Sequence, residues 1–340
     1  MLTCLYHYPL RQRNSFGLDV KAAKFVEYSS VADLQTFVRQ NGTNPLADTK
    51  QPLWLHIGGG NNLLFTDDYQ GVILHSALRG VEEVYRTADK VRLRVGAAEH
   101  WDTFVAWSIE HGAYGLENLS LIPSEVGAAA VQNIGAYGAE AKDFIYSVEA
   151  VDLHTGEVAM FANAECNFAY RFSNFKGAWA GRYAITYVIF ELALNFVPNL
   201  SYHALAEQIG DNATAKDLRE AVIRIRRGKL PEPAELGNAG SFFMNPVISP
   251  EQFAELQKAY PAVPHFAVDE GIKVPAAWLI EQVGWKGRTL GSTGVYEHQP
   301  LVLVNRGGAV GADIVRLADA IIGDVKAKFA ITLRPEVIMV

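Results

Sequence analysis

Two glycine-rich tracts, separated by one amphipathic helix, limit the folds available to this chain more than any other feature. The first is Gly58 to Asn62 in "IGGGNNLLF", which follows the apolar stretch "PLWLHIG" and offers successive backbone N–H groups with little steric cover. Such a nest suits phosphate oxygens. A Rossmann GxGxxG motif anchored at Gly58 would need glycine where Leu63 stands. The tract therefore indicates a phosphate-binding turn of another fold, or a glycine turn without a ligand.

The second tract runs from Gly115 to Gly138, "GLENLSLIPSEVGAAAVQNIGAYG". Its small residues allow the backbone to lie flat against an extended ligand, and Gln132 and Asn133 offer directional hydrogen bonds. Packing of small residues would explain one such tract. Two such tracts, one on either side of a helix, indicate that they line opposite sides of a binding site for a dinucleotide-sized cofactor. Neither tract carries a nucleophile, base or metal cluster, so both are interpreted as binding surfaces.

A third segment, "GNAGSFFMNP" from Gly237 to Pro246, presents one hydroxyl beside flexible backbone. Gly237 and Gly240 permit backbone angles and close approaches that a side chain would block, so a ligand can come near Ser241. The alternative is a tight turn in which Ser241 only satisfies a backbone group. No G-x-S-x-G elbow surrounds this serine, which argues against a hydrolase nucleophile.

Hydrophobic periodicity predicts a set of helices and strands along the chain. Helices are predicted at Val31 to Gln40, His100 to His111, Lys216 to Lys229, Gln252 to Tyr260, Ala276 to Val283 and Asp313 to Phe329. Strands are predicted in "PLWLHIG", "YAITYVIFELAL" and "PLVLVN", with a hairpin turning at Thr155 and Gly156. Four arginines of one helix are predicted to form a solvated face: Arg219, Arg224, Arg226 and Arg227. Pro231 and Pro233 mark the clearest domain boundary.

Composition excludes several classes of protein. A chain of 340 residues, 49% hydrophobic and 20% charged, is typical of a globular protein with two or three domains. The net charge of −7 gives no generic attraction to nucleic acid or to an anionic membrane. Cys4 and Cys166 are far apart, and the nine histidines show no HxH or HExxH spacing, so we expect neither a disulfide nor a metal site. Without a signal sequence or a membrane span, a cytoplasmic location is predicted.

Seven motifs, taken in chain order, resemble the UDP-N-acetylenolpyruvoylglucosamine reductase family. They are "NSFG" at Asn14 to Gly17, "GGGNN", the long tract ending in "QNIGAYG", the pair Tyr170 and Arg171, "GKLP", "GNAGSFFMNP" and the terminal "PEV". The match extends over nearly the whole chain. Ser201 and Tyr202 before "HAL" look like the additional substrate-loop tyrosine of the type I branch.

The resemblance implies an α+β fold with an FAD-binding part of the vanillyl-alcohol-oxidase type. It implies two FAD-binding subdomains, 1–79 and 80–230, followed by an α+β substrate-binding domain at 231–330. The tail, 331–340, is expected to return to the first subdomain.

The resemblance also implies a reaction. In this family NADPH reduces non-covalently bound FAD and leaves, and the reduced flavin then reduces the enolpyruvyl group of a UDP sugar to give UDP-N-acetylmuramate for peptidoglycan synthesis. Arg171, Ser241 and Glu336 match the catalytic set, with Ser241 as the proton donor. Arg171 has the planar fork that suits a carboxylate or enolate. The resemblance implies that the protein binds a small-molecule substrate and NADPH, and we expect a monomer.

The resemblance assigns the remaining site residues to two groups. The expected cofactor-binding residues are Gly58, Gly59, Gly60, Asn61, Asn62, Pro123, Ser124, Gly127, Ala128, Ala129, Gln132, Asn133, Gly135, Ala136, Tyr137 and Gly138. The expected substrate-binding residues are Tyr202, Lys229, Asn245 and Gln299, with Lys229 as the phosphate partner.

The chain departs from the family pattern at three positions. Met244 stands where relatives commonly have lysine, Ser124 replaces a usual glycine, and Asn61 replaces a usual serine. Two other functions remain open at this point. One is an FAD-dependent oxidase of the same fold that acts on another small substrate. The other is a catalytically silent protein that binds nucleotide sugars.

Overall fold

The computed structural model describes residues 1–42, 54–210 and 212–340, which divide into two compact units. Unit one combines 1–8, 22–59 and 69–226, and unit two combines 9–21, 60–68 and 227–340. The three-domain division that the resemblance implies stays a prediction. Pro52 and Leu53, the first residues of the predicted strand "PLWLHIG", lie outside the described residues.

Helices and strands are mixed along the chain, with several runs of consecutive strands. The first part contains β1 (Leu2–Pro9), β2 (Lys21–Tyr28), α1 (Val31–Asn41), β3 (Trp54–Ile57), β4 (Leu63–Leu64), β5 (Tyr69–Ser76), β6 (Val81–Arg86), β7 (Lys90–Gly96), α2 (Trp101–Glu110), α3 (Val126–Gln132), β8 (Gly135–Ala136), β9 (Ala139–Glu140), β10 (Ile145–Asp152), β11 (Val158–Ala162) and β12 (Tyr183–Ala193). The second contains α4 (His203–Ala206), α5 (Ala215–Lys229), β13 (Gly237–Ser241), β14 (Val247–Ile248), α6 (Pro250–Ala259), β15 (Phe266–Val268), β16 (Gly271–Lys273), α7 (Ala276–Gln282), β17 (Thr289–Leu290), β18 (Thr293–Val295), β19 (Val302–Asn305), α8 (Gly311–Phe329) and β20 (Ile338–Met339).

The first sheet of unit one has the strand order β1-β2-β5-β3. Its inner strands β2, β5 and β3 pair in parallel. Parallel neighbours need a crossover, and α1 follows β2 for this purpose. Ser30 caps α1 by accepting a hydrogen bond from the Asp33 N–H, and the apolar face of the helix is buried. The rings of Phe37 and Trp54 lie 4.8 Å apart, which packs α1 against β3.

The second sheet of unit one is antiparallel, with the order β11-β10-β12-β7-β6. The predicted hairpin is confirmed, because Gly156 adopts a positive φ of 76° between β10 and β11. The aromatic residues of α2 lie in the core. Trp101 and Phe104 are at most 1% exposed and contact Phe190 of β12 with ring centroids 5.9 and 5.1 Å away.

Unit two is built on two small antiparallel sheets, ordered β13-β19-β18-β17 and β14-β16-β15. The long helix α8 buries Ile314, Leu317 and Ile321. The parallel pair of β20 and β4 joins the end of the chain to Leu63 and Leu64. Both units therefore mix helices with strands, and the predicted α+β class is confirmed.

None of the helices in the described ranges is both long and apolar enough to cross a membrane.

The predicted solvated arginine face of α5 is wrong for two of its four members. Arg219 forms a two-pronged ion pair with Asp102 of α2, at 2.5 and 2.9 Å, and its side chain is only 15% exposed. The Arg226 Nε donates to the Leu121 carbonyl at 3.1 Å. Burial alone would raise the pKa of Asp102, but hydrogen bonds from Arg219 and the Leu121 N–H outweigh it and lower that pKa. The sequence did not reveal this role, because charge pattern does not show which face of a helix meets a partner.

We expect Arg219→Gln to lower the free energy of unfolding by about 1–3 kcal/mol, because it leaves the largely buried Asp102 carboxylate without its cation. Urea unfolding measures this change. The matched control is Arg224→Gln, an exposed arginine of the same helix, for which a change within about 0.5 kcal/mol is expected. Equal effects of the two substitutions would contradict the structural role of the ion pair.

Candidate active site

The start of the first glycine-rich tract, Gly58, approaches the second tract within unit one. A Cβ atom on Gly58, just after β3, would lie 3.1 Å from the Glu125 Oε2 and 3.2 Å from the Ala128 Cβ. Both distances are tighter than ordinary contacts, so the backbone of the first tract approaches the second only because Gly58 lacks a side chain. Gly58, Gly59 and Ala128 remain partly exposed, so the backbone at this contact is accessible.

The "QNIGAYG" segment folds as a helix end followed by a tight hairpin. Asn133 ends α3 in the left-handed region with a φ of 45°, a conformation that asparagine tolerates well. Gly135 and Ala136 of β8 then pair with β9. Tyr137 and Gly138 form the two-residue turn with φ values of 51° and 83°, typical of a type I′ turn.

Packing already explains part of the second tract. Gly127 and Ala129 are buried, and a Cβ on Gly127 would lie 2.9 Å from the Ala97 Cβ. Asn133 gives its two amide hydrogens to the Glu140 Oε2 and the Ala169 carbonyl, at 3.1 and 2.9 Å. The predicted cofactor contacts of these residues stay predictions. The Asn133 Oδ1 accepts the Lys142 N–H at 2.9 Å, so both ends of this side-chain amide are engaged within the protein.

Arg171 occupies a four-residue turn that the "QNIGAYG" segment supports. Ala169 and Phe172 exchange two backbone hydrogen bonds, and Arg171 between them has a φ of 55°. A left-handed arginine is an unfavourable conformation that its surroundings must impose. Asn133 supplies part of that support through the Ala169 carbonyl, and a Cβ on Gly135 would lie 3.4 Å from the Arg171 Nη1. Unit one therefore brings the guanidinium of Arg171 to the hairpin that begins at Gly135.

Ser241 ends β13 directly after a bulge. Asn238 pairs with Val304 and Ser241 with Val302, so one extra residue is accommodated between them. Gly240 provides the positive φ of 69°, and its N–H donates to the Asn238 Oδ1 at 2.9 Å. A bulge bends a strand and redirects the side chains that follow. The glycines of this segment therefore set the direction of Ser241, which is partly exposed.

Glu336 lies next to this serine because the tail of unit two returns to the same strand. The Glu336 N–H donates to the Phe242 carbonyl at 2.8 Å, and the Met244 N–H donates to the Arg334 carbonyl at 3.0 Å. The Asn62 Nδ2 donates to the Glu336 carbonyl at 3.2 Å. Unit two therefore brings together Ser241, Glu336 and Asn62, which the sequence singled out separately. Arg171 belongs to unit one.

The other predicted site residues have simpler surroundings. Tyr202 is 38% exposed and its ring meets Tyr137 edge to face at 5.1 Å. The Asn245 Oδ1 accepts the Ala276 N–H at the start of α7, at 2.9 Å. The Gln299 Oε1 accepts the Leu301 N–H at 3.3 Å. Of the remaining members, Lys229 and Pro123 are exposed, Ser124, Asn61 and Ala136 are partly exposed, and Gly60 is buried.

Below the glycine-rich turn lies a polar cluster that sequence analysis missed. The His75 Nδ1 is 2.9 Å from the Glu27 Oε2, and its Nε2 is 3.4 Å from the Glu125 Oε1. The Tyr28 hydroxyl shares a 2.7 Å hydrogen bond with the His56 Nε2. Burial, with a smaller contribution from His75, lowers the pKa of His56 to about 3, while burial raises the pKa of Tyr28. The position of His56 two residues before Gly58 was the one available signal.

We expect Gly237→Ala to destabilise the protein by about 2 kcal/mol or more, because the new Cβ would lie 2.3 Å from the Phe16 carbonyl oxygen. Urea unfolding of both forms measures the loss. Gly228→Ala is the matched control, since that glycine is exposed near the end of α5 with open space around it. It should be neutral or stabilise by up to about 1 kcal/mol. An unchanged stability of Gly237→Ala would contradict the close approach of Phe16.

We expect His56→Gln to reduce the amount by which the free energy of unfolding falls as the pH drops below neutral. The unfolded chain binds a proton at His56 below about pH 6.5, whereas the folded protein resists protonation down to about pH 3. The wild type therefore loses at most about 1.4 kcal/mol per pH unit from this residue as the pH falls through that range. Urea unfolding at pH 7.5 and pH 5 should show a loss about 1–2 kcal/mol smaller in the variant. His298→Gln, at an exposed histidine, should keep the wild-type pH dependence; an identical slope in His56→Gln would refute the prediction.

Comparisons with known proteins agree with this architecture. Residues 232–340 match the family model described as the C-terminal domain of UDP-N-acetylenolpyruvoylglucosamine reductase, and residues 22–161 match an FAD binding domain. The UDP-N-acetylenolpyruvoylglucosamine reductases of Porphyromonas gingivalis and Bacteroides fragilis are each 47% identical over 334 residues. That alignment covers 97% of this chain and 97% and 98% of theirs.

A solved structure gives the same fold. The UDP-N-acetylenolpyruvylglucosamine reductase of Thermus caldophilus aligns over 100% of this chain and 98% of its own, with a TM-score of 0.69 and 20% identity. At that identity the match establishes the fold alone. The full-length identity to the curated relatives establishes the family, and the FAD binding domain establishes the cofactor class. The chain therefore belongs to the UDP-N-acetylenolpyruvoylglucosamine reductase family and is an FAD-dependent oxidoreductase.

Proposed function

We propose that this protein reduces UDP-N-acetylglucosamine enolpyruvate to UDP-N-acetylmuramate with electrons from NADPH, as a step in peptidoglycan precursor synthesis. The observation that carries the proposal is the pairing of the Glu336 backbone with Phe242, directly after Ser241. It brings together two of the three residues that the family resemblance assigns to catalysis. The cytoplasmic location and the monomeric state belong to the same proposal.

The first unit provides surfaces that fit FAD. Gly58 and Gly59 are partly exposed at the end of β3, and Gly135 and Ala136 are partly exposed in the β8–β9 hairpin. Backbone N–H groups in such turns suit a pyrophosphate, and flat backbone suits an extended cofactor. We assign the binding of FAD to these two segments together with Ser124 and Gln132. When bound, FAD supplies the two-electron chemistry that no side chain of the chain can supply.

The catalytic side chains then have separate tasks. Reduction of a double bond conjugated to a carboxylate builds negative charge beside that carboxylate, so fixed donors are needed where the charge develops. Arg171 pairs with this charge through its planar fork. Ser241 delivers the proton to the carbon next to the carboxylate. Glu336 orients this network from its position beside Ser241.

The substrate's nucleotide and sugar are assigned to residues outside this set. Lys229, exposed at the end of α5, is a point charge for the diphosphate. Asn245 keeps its amide hydrogens for the sugar, since its oxygen already caps α7. Gln299 and Tyr202 complete the assignment. Met244 provides no charge at the position where relatives commonly have lysine, so Lys229 has the larger role in neutralising the diphosphate.

One absorbance experiment tests the function. The purified protein should show a flavin spectrum that NADPH bleaches, and anaerobic addition of UDP-N-acetylglucosamine enolpyruvate should restore it. Restoration by air alone, with no response to the sugar nucleotide, would instead favour an oxidase. A spectrum that NADPH does not alter would contradict the proposed reductase.

We expect Ser241→Ala to separate the two half-reactions. Flavin reduction by NADPH should keep its rate, while reoxidation by the enolpyruvyl substrate should slow by about 10²–10⁴-fold, the usual contribution of a positioned general acid. Stopped-flow absorbance measures both rates. Ser249→Ala, which removes the serine cap of α6 in the same unit, is the control and should leave both rates unchanged. Equal slowing of both half-reactions by Ser241→Ala would contradict its role as the proton donor.

A further inference from the structure

The segment that carries Arg171, which we call the arginine loop (residues 169–176), is bonded to the end of α3. The Ser173 Oγ donates to the Val131 carbonyl at 2.7 Å, and Ser173 is fully buried. The Asn133 Nδ2 donates to the first carbonyl of the loop at 2.9 Å. The last carbonyls of a helix have no partner within the helix, and here a serine hydroxyl supplies one. The loop and the end of α3 are therefore held together at two points within unit one.

Lys176 makes a third connection, and it joins two groups that the proposed function uses. Its Nζ lies 2.8 Å from the Gln132 Oε1 and 3.4 Å from the Arg171 carbonyl oxygen. Its backbone N–H donates to the Ser173 carbonyl at 3.0 Å, which closes a turn of the loop. Both Lys176 and Gln132 are partly buried. One ammonium group therefore contacts a residue assigned to FAD and the turn that holds an arginine assigned to catalysis.

The contact with Lys176 decides how the side-chain amide of Gln132 is oriented. An ammonium group has three hydrogens to donate and no lone pair with which to accept, so it faces the oxygen of the amide and not the nitrogen. The amide nitrogen must then point away from Lys176, with two hydrogens to donate. A hydrogen bond to the oxygen also polarises the amide and strengthens its N–H groups as donors. Gln132 is thus set as a donor toward any ligand that meets it.

We propose that Lys176 is a positioning residue that presents the Gln132 amide to FAD as a hydrogen-bond donor and supports the turn of Arg171. The inference rests on the proposed function, which assigns Gln132 to FAD and Arg171 to the developing negative charge. The cofactor group that meets Gln132 must then be an acceptor, and FAD offers both carbonyl and phosphate oxygens. The effect of Lys176 on cofactor and substrate passes through these two residues.

The main test is the dissociation constant of FAD, measured by flavin fluorescence on serial dilution of the FAD-loaded enzyme. We expect Lys176→Met to raise this constant about five- to twentyfold, the loss expected for about one hydrogen bond to the cofactor, because the amide is then no longer held in one orientation. Lys216→Met removes the same charge from an exposed position of α5 and should leave the constant unchanged. An unchanged constant in Lys176→Met would overturn the proposal.

Gln132→Glu tests the orientation of the amide without removing the lysine. The ionised carboxylate keeps an acceptor for Lys176 but has no hydrogen to donate to FAD. We expect the free energy of unfolding in urea to stay at the wild-type value or to rise, while the dissociation constant of FAD rises about tenfold or more. Wild-type affinity for FAD in Gln132→Glu would show that the oxygen faces the cofactor, and it would overturn the proposal.

A double-mutant cycle separates positioning from a direct contact of Lys176 with FAD. If Lys176 acts through the amide, then Lys176→Met should raise the FAD dissociation constant of Gln132→Leu by less than about twofold. Independent, multiplying effects of the two substitutions would overturn the positioning role. An unchanged constant in Gln132→Leu alone would overturn it as well, because Gln132 would then make no contact worth presenting.

The support of Arg171 has its own readout. At saturating FAD, Lys176→Met should slow reoxidation of the reduced flavin by the enolpyruvyl substrate about threefold or more, because the turn of Arg171 loses a hydrogen bond. A wild-type reoxidation rate would overturn the part of the proposal that concerns Arg171. If the sugar nucleotide does not reoxidise the wild-type flavin at all, the proposed function is refuted, whereas the dissociation constants of FAD still decide the role of Lys176 toward Gln132.

Discussion

The backbone pairing between the chain end and the strand after Ser241 is the interaction on which the candidate site of unit two depends. Glu336 donates to the Phe242 carbonyl, Met244 donates to the Arg334 carbonyl, and Asn62 holds the Glu336 carbonyl from the other side. The parallel pairing of β20 with β4 then fixes the tail to Leu63 and Leu64. Three segments that are distant in sequence are placed next to each other by main-chain hydrogen bonds. The main-chain bonds fix the backbone around Ser241 without requiring particular side chains there, and only the Asn62 contact depends on a side chain.

The sequence predicted the elements of the fold well because apolar periodicity reflects burial. Helices α1, α2, α5, α7 and α8 and strand β12 lie within a few residues of their predicted bounds. The sequence failed where two surfaces of different elements meet. Arg219 and Arg226 follow the pattern of a solvated face, but their neighbours are Asp102 and Leu121, which lie far away in the chain. A pattern within one helix carries no information about the charge on the element that packs against it.

The glycines of the candidate site could be predicted from the sequence, whereas its buried histidine cluster could not. Gly58 and Gly237 allow other atoms to come close to the backbone, and Gly240 has a positive φ. Both requirements favour glycine, so the sequence itself indicates them. The cluster around His56 and His75 leaves no such mark, because a histidine beside a carboxylate becomes a pair only after β2, β3 and β5 have aligned. Family resemblance supplied the roles of Arg171, Ser241 and Glu336, and no spacing rule would have produced them.

Buried asparagines support the irregular segments of both units in one common way. Asn118 and Asn133 each give two amide hydrogens to acceptors on separate segments, whereas Asn238 and Asn14 each give theirs to two carbonyls of their own segment. In irregular segments the backbone carbonyls cannot pair with a neighbouring strand, so a side-chain amide donates the hydrogen bonds instead. The shape of the amide also fixes the angle between the two acceptors. The turns that carry Arg171 and Ser241 are therefore held in part by side-chain amides, and we expect a substitution at Asn133 or Asn238 to change the direction of the neighbouring side chain while leaving that side chain in place.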